Sequence, residues 1–130
     1  MIKKTKFLLK EVHLRIQYKF MKDCLFCKII KGEIKAKPLF ENKDVLAIAD
    51  INPVADVHIL IIPKVHIDSV LTIGDSDGRV IIEMYKAGQK LVSERKLDAF
   101  RFAINGGKYQ HVEHLHMHLI AGKKIEWKNL

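Results

Sequence analysis

The chain has 130 residues, 48% of them hydrophobic and 29% charged, a composition that suits one globular domain with its own core. No apolar run approaches the roughly 18 residues that a transmembrane helix needs. The formal net charge is +8, but residues 1–22 hold seven Lys/Arg against one Glu and so carry +6 of it. The basic excess is therefore an N-terminal feature. It argues against a nucleic-acid-binding face on the remainder.

The N-terminal stretch "FLLKEVHLRIQYKF" spaces Leu9, Val12, Ile16 and Phe20 as a weakly amphipathic helix would. Its longest apolar run, "FLL", is far too short for the core of a secretory signal. A second methionine, Met21, stands directly before the first well-patterned segment. Residues 1–22 are accordingly read as a basic extension outside the fold, and 23–130 as the domain.

Cys24 and Cys27 follow in C-x-x-C spacing and are the only cysteines. So close a pair cannot staple a domain. In an intracellular chain this spacing points to metal or redox chemistry, and a disulfide-stabilised secreted fold is not expected. A cytoplasmic location follows from that reading. "LFCKIIKGEI" predicts a short helix with Leu25, Ile29 and Ile30 apolar and Gly32 ending it. "PLFEN" reads as a short strand, "VLAIAD" (45–50) as a β-rich run and "INPVAD" as the turn after it. "HILIIP" (58–63) is a strand that Pro63 terminates. Residues 75–96 predict one long helix, with Val80, Ile81, Met84, Ala87, Leu91 and Val92 as its buried stripe. "AFRFAIN" (99–105) alternates with period two, "INGGKYQHVE" is a glycine-bearing loop, and "HLHMHLIAG" (114–122) is a final strand. Strands outnumber helices without a βαβα alternation, so the class is α+β with an antiparallel sheet.

The final strand carries the chemistry. Successive side chains on a strand face opposite ways, so His114, His116 and His118 share one face, and Leu115, Met117 and Leu119 share the other. A single histidine on a strand is usually a hydrogen-bonded bystander. Three in strict alternation are costly to bury without partners. Two functional readings remain: a three-histidine metal site, or a catalytic row at an anionic phosphate. His58, His66, His111 and Asn105 add groups suited to attack on phosphorus. Imidazole can serve as nucleophile or acid/base near neutral pH, and an amide can hold a phosphoryl oxygen.

"HLHMHLI" fits His-φ-His-φ-His-φ-φ, with φ apolar, and so resembles the motif of the histidine triad (HIT) superfamily. The resemblance extends to "CLFCKIIKGEI", "AIADINPVADVHILIIPKVHI" and "AIN", in that family's order and over about residues 23–122. Trp127, nine residues after His118, stands where the Hint branch carries a tryptophan. The resemblance implies a five-stranded antiparallel sheet with one long and one short helix. It also implies a nucleotide hydrolase acting on purine nucleoside 5'-phosphoramidates, such as adenosine phosphoramidate, or on related conjugates. His116 would attack the α-phosphorus to form a nucleotidyl-histidine, and water would then release AMP. His118, His58 and Asn105 would hold the phosphoryl oxygens and support proton transfer. Asp50 would bind the ribose hydroxyls, and Phe26, Ile34, Ile48, Ile51 and Leu60 would line the base pocket. Homodimerisation through the long helix and the strand near 99–105 is implied as well, with no organic cofactor.

Cys24 and Cys27 lie where some family members bind zinc. There the other ligands match His66 and His114, which implies one structural zinc per chain. One departure concerns the loop before the triad. The family usually shows Gly-Gln-Ser/Thr there, whereas this chain has "GGKYQHVEH". Gln110 fits the nucleotide-binding pattern. His111 takes the place of the hydroxyl that helps hold phosphate and assists the leaving group. A non-catalytic purine-nucleotide-binding module is the alternative that this loop favours.

Overall fold

Alternating apolar runs form strands only where a neighbour completes their hydrogen bonds, and five segments of this chain do so. The computed structural model describes residues 23–122. The amphipathic pattern of residues 1–22 and the tryptophan at 127 lie outside the described residues. The strands are β1 (Phe40–Glu41), β2 (Val45–Ala49), β3 (Val57–Pro63), β4 (Arg101–Ala103) and β5 (Met117–Ala121). They form one sheet in the order β1-β2-β3-β5-β4, every pair antiparallel. A short helix, α1 (Leu25–Ile30), and a long one, α2 (Gly78–Glu94), complete the fold. The expected α+β architecture is thus the observed one.

Each face of the sheet has its own apolar cluster. Val45, Ala47, Ile59, Ile61, Met117 and Leu119 pack with Met84, Ala87 and Leu91 of α2. Leu46, Ile48, Leu60 and Ile62 pack with Phe26 and the two cysteines around α1. This division comes straight from the period of two. In β3 paired with β5, Leu60 stands opposite His118, and Ile59 opposite Leu119. Leu60 and His118 face α1; Ile59 and Leu119 face α2. Burying both faces of the central strands explains why "HILIIP" is almost continuously apolar.

Three expectations shift in detail. The segment expected as one helix over 75–96 begins with a 3₁₀ turn, Asp75–Asp77, before α2 proper starts at Gly78. The Asp77 carboxylate accepts a bond from the Gly74 N–H at 2.8 Å and so shapes that turn. Along α2, Gly88 joins the buried face, because a Cβ there would lie 2.7 Å from the Phe102 ring. The third difference matters most. The last strand enters the ladder only at Met117, not at His114. Before it, the Leu115 N–H bonds to the Ile67 carbonyl at 2.7 Å, drawing the chain toward the 63–68 loop. Alternation persists regardless, since Leu115 stays in the α2-side cluster.

Candidate functional site

On the α1 face, the sheet and α1 enclose a cavity of about 480 Å³. Phe26, Ile48, Ile51 and Leu60 supply its apolar wall, and Asp50, His58, Asn105, His111, His116 and His118 its polar groups. Residues expected from four separate segments are thus brought together. Two are not. Ile34 is 38% exposed and lies off the lining. Gln110 turns its amide to the carbonyls of Asp68, at 2.7 Å, and Val112, at 3.0 Å, and so ties down its own loop. The wall also includes Leu25 and Ile29, expected only as apolar residues of the short helix, together with Val54 and Val112. The i, i+4 spacing of Leu25 and Ile29 was a usable signal for the first two.

The hydrogen bonds define the histidine tautomers. The His116 Nδ1 lies 2.7 Å from the carbonyl oxygen of His114 and must donate to it. Its Nε2 is then the unprotonated nitrogen of a neutral ring. His58 is ordered the opposite way, because its Nδ1 accepts the Val54 N–H at 3.1 Å. The His58 Nε2–H therefore points to the His118 Nδ1 at 2.8 Å, with the Asp50 carboxylate 3.4 Å from the same nitrogen. His118 in turn bears its proton on Nε2, so this N–H and the Asn105 Nδ2 amide nitrogen, 3.4 Å apart, are two donors that do not bond to each other and both remain free for an acceptor in the cavity. Burial keeps these rings neutral. It pushes His58 and His116 below the ordinary histidine value. His118 falls to about 4, through burial first and then its neighbours His116 and His58.

Asp50, His58 and His118 are close enough to suggest a second cation site. The Val54 N–H argues against it, because it holds the proton of His58 on the nitrogen a metal would need. Asp50 is otherwise placed by accepting the Asn52 N–H at 2.8 Å.

The second cluster has the character of a metal centre. Cys24, Cys27, His66 and His114 bring four ligand atoms within 4.8 Å of one another. The His114 Nδ1 lies 3.4 Å from the Cys24 sulfur and 3.6 Å from the Cys27 sulfur; the His66 Nδ1 lies 3.2 Å from Cys27. A tetrahedral ion with metal–sulfur bonds of about 2.3 Å and metal–nitrogen bonds of about 2.0 Å would separate sulfur from nitrogen by about 3.5 Å. Both rings also have their outer nitrogens satisfied. The His114 Nε2 donates to the Pro63 carbonyl, and the His66 Nε2 to Asp68, each at 2.7 Å. Such outer partners fix the ligating tautomer. Burial and the adjacent Cys24 push the Cys27 thiol up to about 12, and burial lowers His114 to about 4. Only a cation would reverse the bias against thiolate here. The four residues therefore fit a metal ion. A more open depression of about 540 Å³ runs past Cys24, His66 and Asp68 and shares Leu25, His111 and Val112 with the cavity. It does not hold the His58–His118 pair or His116, which line the cavity instead.

The family described as "Scavenger mRNA decapping enzyme C-term binding" matches residues 23–129. Adenosine 5'-monophosphoramidase HNT1 of Saccharomyces cerevisiae is 40% identical over 99 residues, covering 75% of this chain and 61% of that protein. A histidine triad protein from Clostridium difficile superposes with a TM-score of 0.75 at 42% identity, over 79% of this chain and 93% of that one. The chain belongs to the histidine triad family. A HIT family hydrolase from Legionella pneumophila gives a TM-score of 0.77 at 38% identity and is covered in full, against 83% of this chain. Among the described residues, no helix of this HIT protein is long and apolar enough to cross a membrane.

Proposed function

We propose that this HIT protein is a nucleotide hydrolase that cleaves purine nucleoside 5'-phosphoramidates, or related conjugates, through a nucleotidyl-histidine intermediate. The observation that carries the reading is the state of His116. It is 7% exposed, lines the cavity, and gives its Nδ1 proton to the His114 carbonyl. Its Nε2 lone pair is then available at neutral pH without a separate base.

In this mechanism the His116 Nε2 attacks the α-phosphorus, a P–N bond to the histidine forms, and the bond to the leaving amine breaks. The amine departs with a proton taken from solvent, and the water that attacks next returns one. Water then cleaves the nucleotidyl-histidine, releases the monophosphate and restores the neutral ring. The His118 Nε2–H and the Asn105 amide lie on the same side of the sheet as His116 and supply donors for the phosphoryl oxygens. His58 orients His118 through the bond between their rings. Asp50 provides a carboxylate for the ribose hydroxyls. Phe26, Ile48, Ile51 and Leu60 offer an apolar slot for a purine. Ile51 is 91% exposed in the free protein, which suits a residue that a bound base covers.

Cys24, Cys27, His66 and His114 are proposed to hold one zinc ion, in a closed set that adds rigidity and leaves His116 and His118 to the substrate. Dimerisation is proposed through α2 and β4, where Ile82, Tyr85 and Phe100 stay exposed despite their apolar character. A monomeric mass in solution would remove that part of the proposal. The competing reading, a nucleotide-binding module without turnover, rests on His111. It stands at the cavity wall, at the position where the resemblance implies a hydroxyl.

Hydrolysis of adenosine 5'-phosphoramidate by the parent and by His116→Ala separates the two. AMP release that His116→Ala reduces more than about a thousand-fold supports the covalent route. AMP binding by a parent that does not turn over supports the binding module instead.

A further inference from the structure

The metal cluster and the proposed nucleophile meet in one residue. The ring of His114 faces Cys24 and Cys27, while its main-chain carbonyl accepts the His116 Nδ1–H at 2.7 Å. Phe26, between the two cysteines in sequence, provides a second connection. Its ring stands edge-on to His114, at 5.9 Å between centroids, and to His116, at 5.0 Å. The sheet does not hold this carbonyl, because the β5 ladder begins only at Met117. His114 is fully buried, and its ring nitrogens and two neighbouring backbone bonds anchor it in place of a strand partner.

We infer that the Cys24–Cys27–His66–His114 cluster positions His116 for attack, through the His114 carbonyl and the Phe26 ring, and does not serve folding alone. This rests on the reading of His116 as nucleophile. The physical reason lies in the tautomer. An imidazole is a nucleophile at Nε2 only while its proton stays on Nδ1, and the His114 carbonyl is the group that keeps it there. A His114 ring released from the cysteines would let its carbonyl drift, and the proton could then occupy either nitrogen. His114 and Phe26 are thus positioning residues for His116. Groups of this kind around metal ligands commonly change activity about ten- to a hundred-fold when lost.

The test uses the full chain with its zinc, and two variants. His66→Ala removes a ligand that lies outside the histidine row and leaves His114 and Phe26 in place. His66→Cys restores a four-ligand Cys₃His set of a kind zinc accepts. Zinc content, kcat and KM for adenosine 5'-phosphoramidate, AMP affinity and the ¹⁵N shifts of His116 are measured on each. The expected result is that His66→Ala loses zinc and at least about ten-fold in kcat, with AMP affinity held within about three-fold. Its His116 signals move from the single Nδ1–H tautomer to a mixture. His66→Cys rescues zinc, kcat and tautomer together. A zinc-free His66→Ala that keeps its kcat and its single tautomer overturns the inference. So does one that fails to fold, because the metal's role is then folding. A His66→Cys protein that regains zinc but not the tautomer overturns it as well. If the parent does not turn over, the hydrolase reading fails, and the ¹⁵N comparison still decides whether the cluster sets the tautomer.

Discussion

Acid should destabilise this protein through His118, and the effect can be isolated by replacing that residue with asparagine. In the folded chain His118 titrates near about 4, because it is buried beside His116 and His58. In an unfolded chain it would titrate near about 6.5. As the pH falls below about 6.5, the unfolded chain takes up the proton first, so stability drops with falling pH and the loss ends near pH 4. At 1.36 kcal/mol per unit, the full separation corresponds to about 3 kcal/mol, of which about 2 kcal/mol is lost between pH 7.5 and pH 5. The neighbouring imidazoles compete for the same proton, so about 1 kcal/mol is the lower end of that range. Urea unfolding of the parent and of His118→Asn at both pH values measures it. Asparagine keeps an acceptor for the His58 N–H and cannot titrate. The parent should lose about 1–2 kcal/mol more than the variant over this interval. Equal losses would show that His118 is not held neutral by its surroundings. An ion held by Cys24, Cys27, His66 and His114 would be released from both proteins alike and cancel in the comparison.

Asp50→Asn should weaken binding of the ribose substrate about ten-fold and that of the 2'-deoxy analogue less, since a hydrogen bond to a charged acceptor is worth about 1.5–3 kcal/mol against about 0.5–1.5 kcal/mol for a neutral one. KM values for the two substrates decide it, and an equal change in both would dismiss the ribose assignment. Gly88→Ala should lower stability by up to about 2 kcal/mol, because overpacking of about 1–3 kcal/mol outweighs a helix-propensity gain of about 1 kcal/mol. The new Cβ would meet the Phe102 ring at 2.7 Å, and that ring is boxed in by Tyr85 and Phe100. A thermal melt at or above the parent's would refute it.

Much of this arrangement was legible in the sequence because it is local. The period of two in "HILIIP" and "HLHMHLI" sorted side chains to two faces without knowledge of any partner. Leu115, Met117 and Leu119 accordingly lie in the α2-side core, with His116 and His118 on the cavity side. The resemblance of the motifs then named the family and gathered the cavity residues from distant segments. Gln110 and Ile34 lie off the cavity lining for the opposite reason. Gln110 had two main-chain carbonyls within reach, supplied by the fold of its own loop and of the 63–68 segment.

What the sequence by itself determined is the set of groups: two cysteines and two histidines suited to ligate a metal, a row of imidazoles, one carboxylate and an apolar wall. What only the tertiary structure decided is the state of each group. The proton of His116 sits on Nδ1 because a carbonyl lies 2.7 Å away, and that of His58 sits on Nε2 because the turn at Val54 presents an N–H. His114 was expected in a strand, yet it lies just outside the ladder, between Pro63 and the cysteines. Residue type and alternation are properties of neighbours in the chain. Tautomer, burial and ligation depend on which backbone groups arrive from elsewhere, and these are fixed only when β3, β5, α1 and the connecting loops pack together.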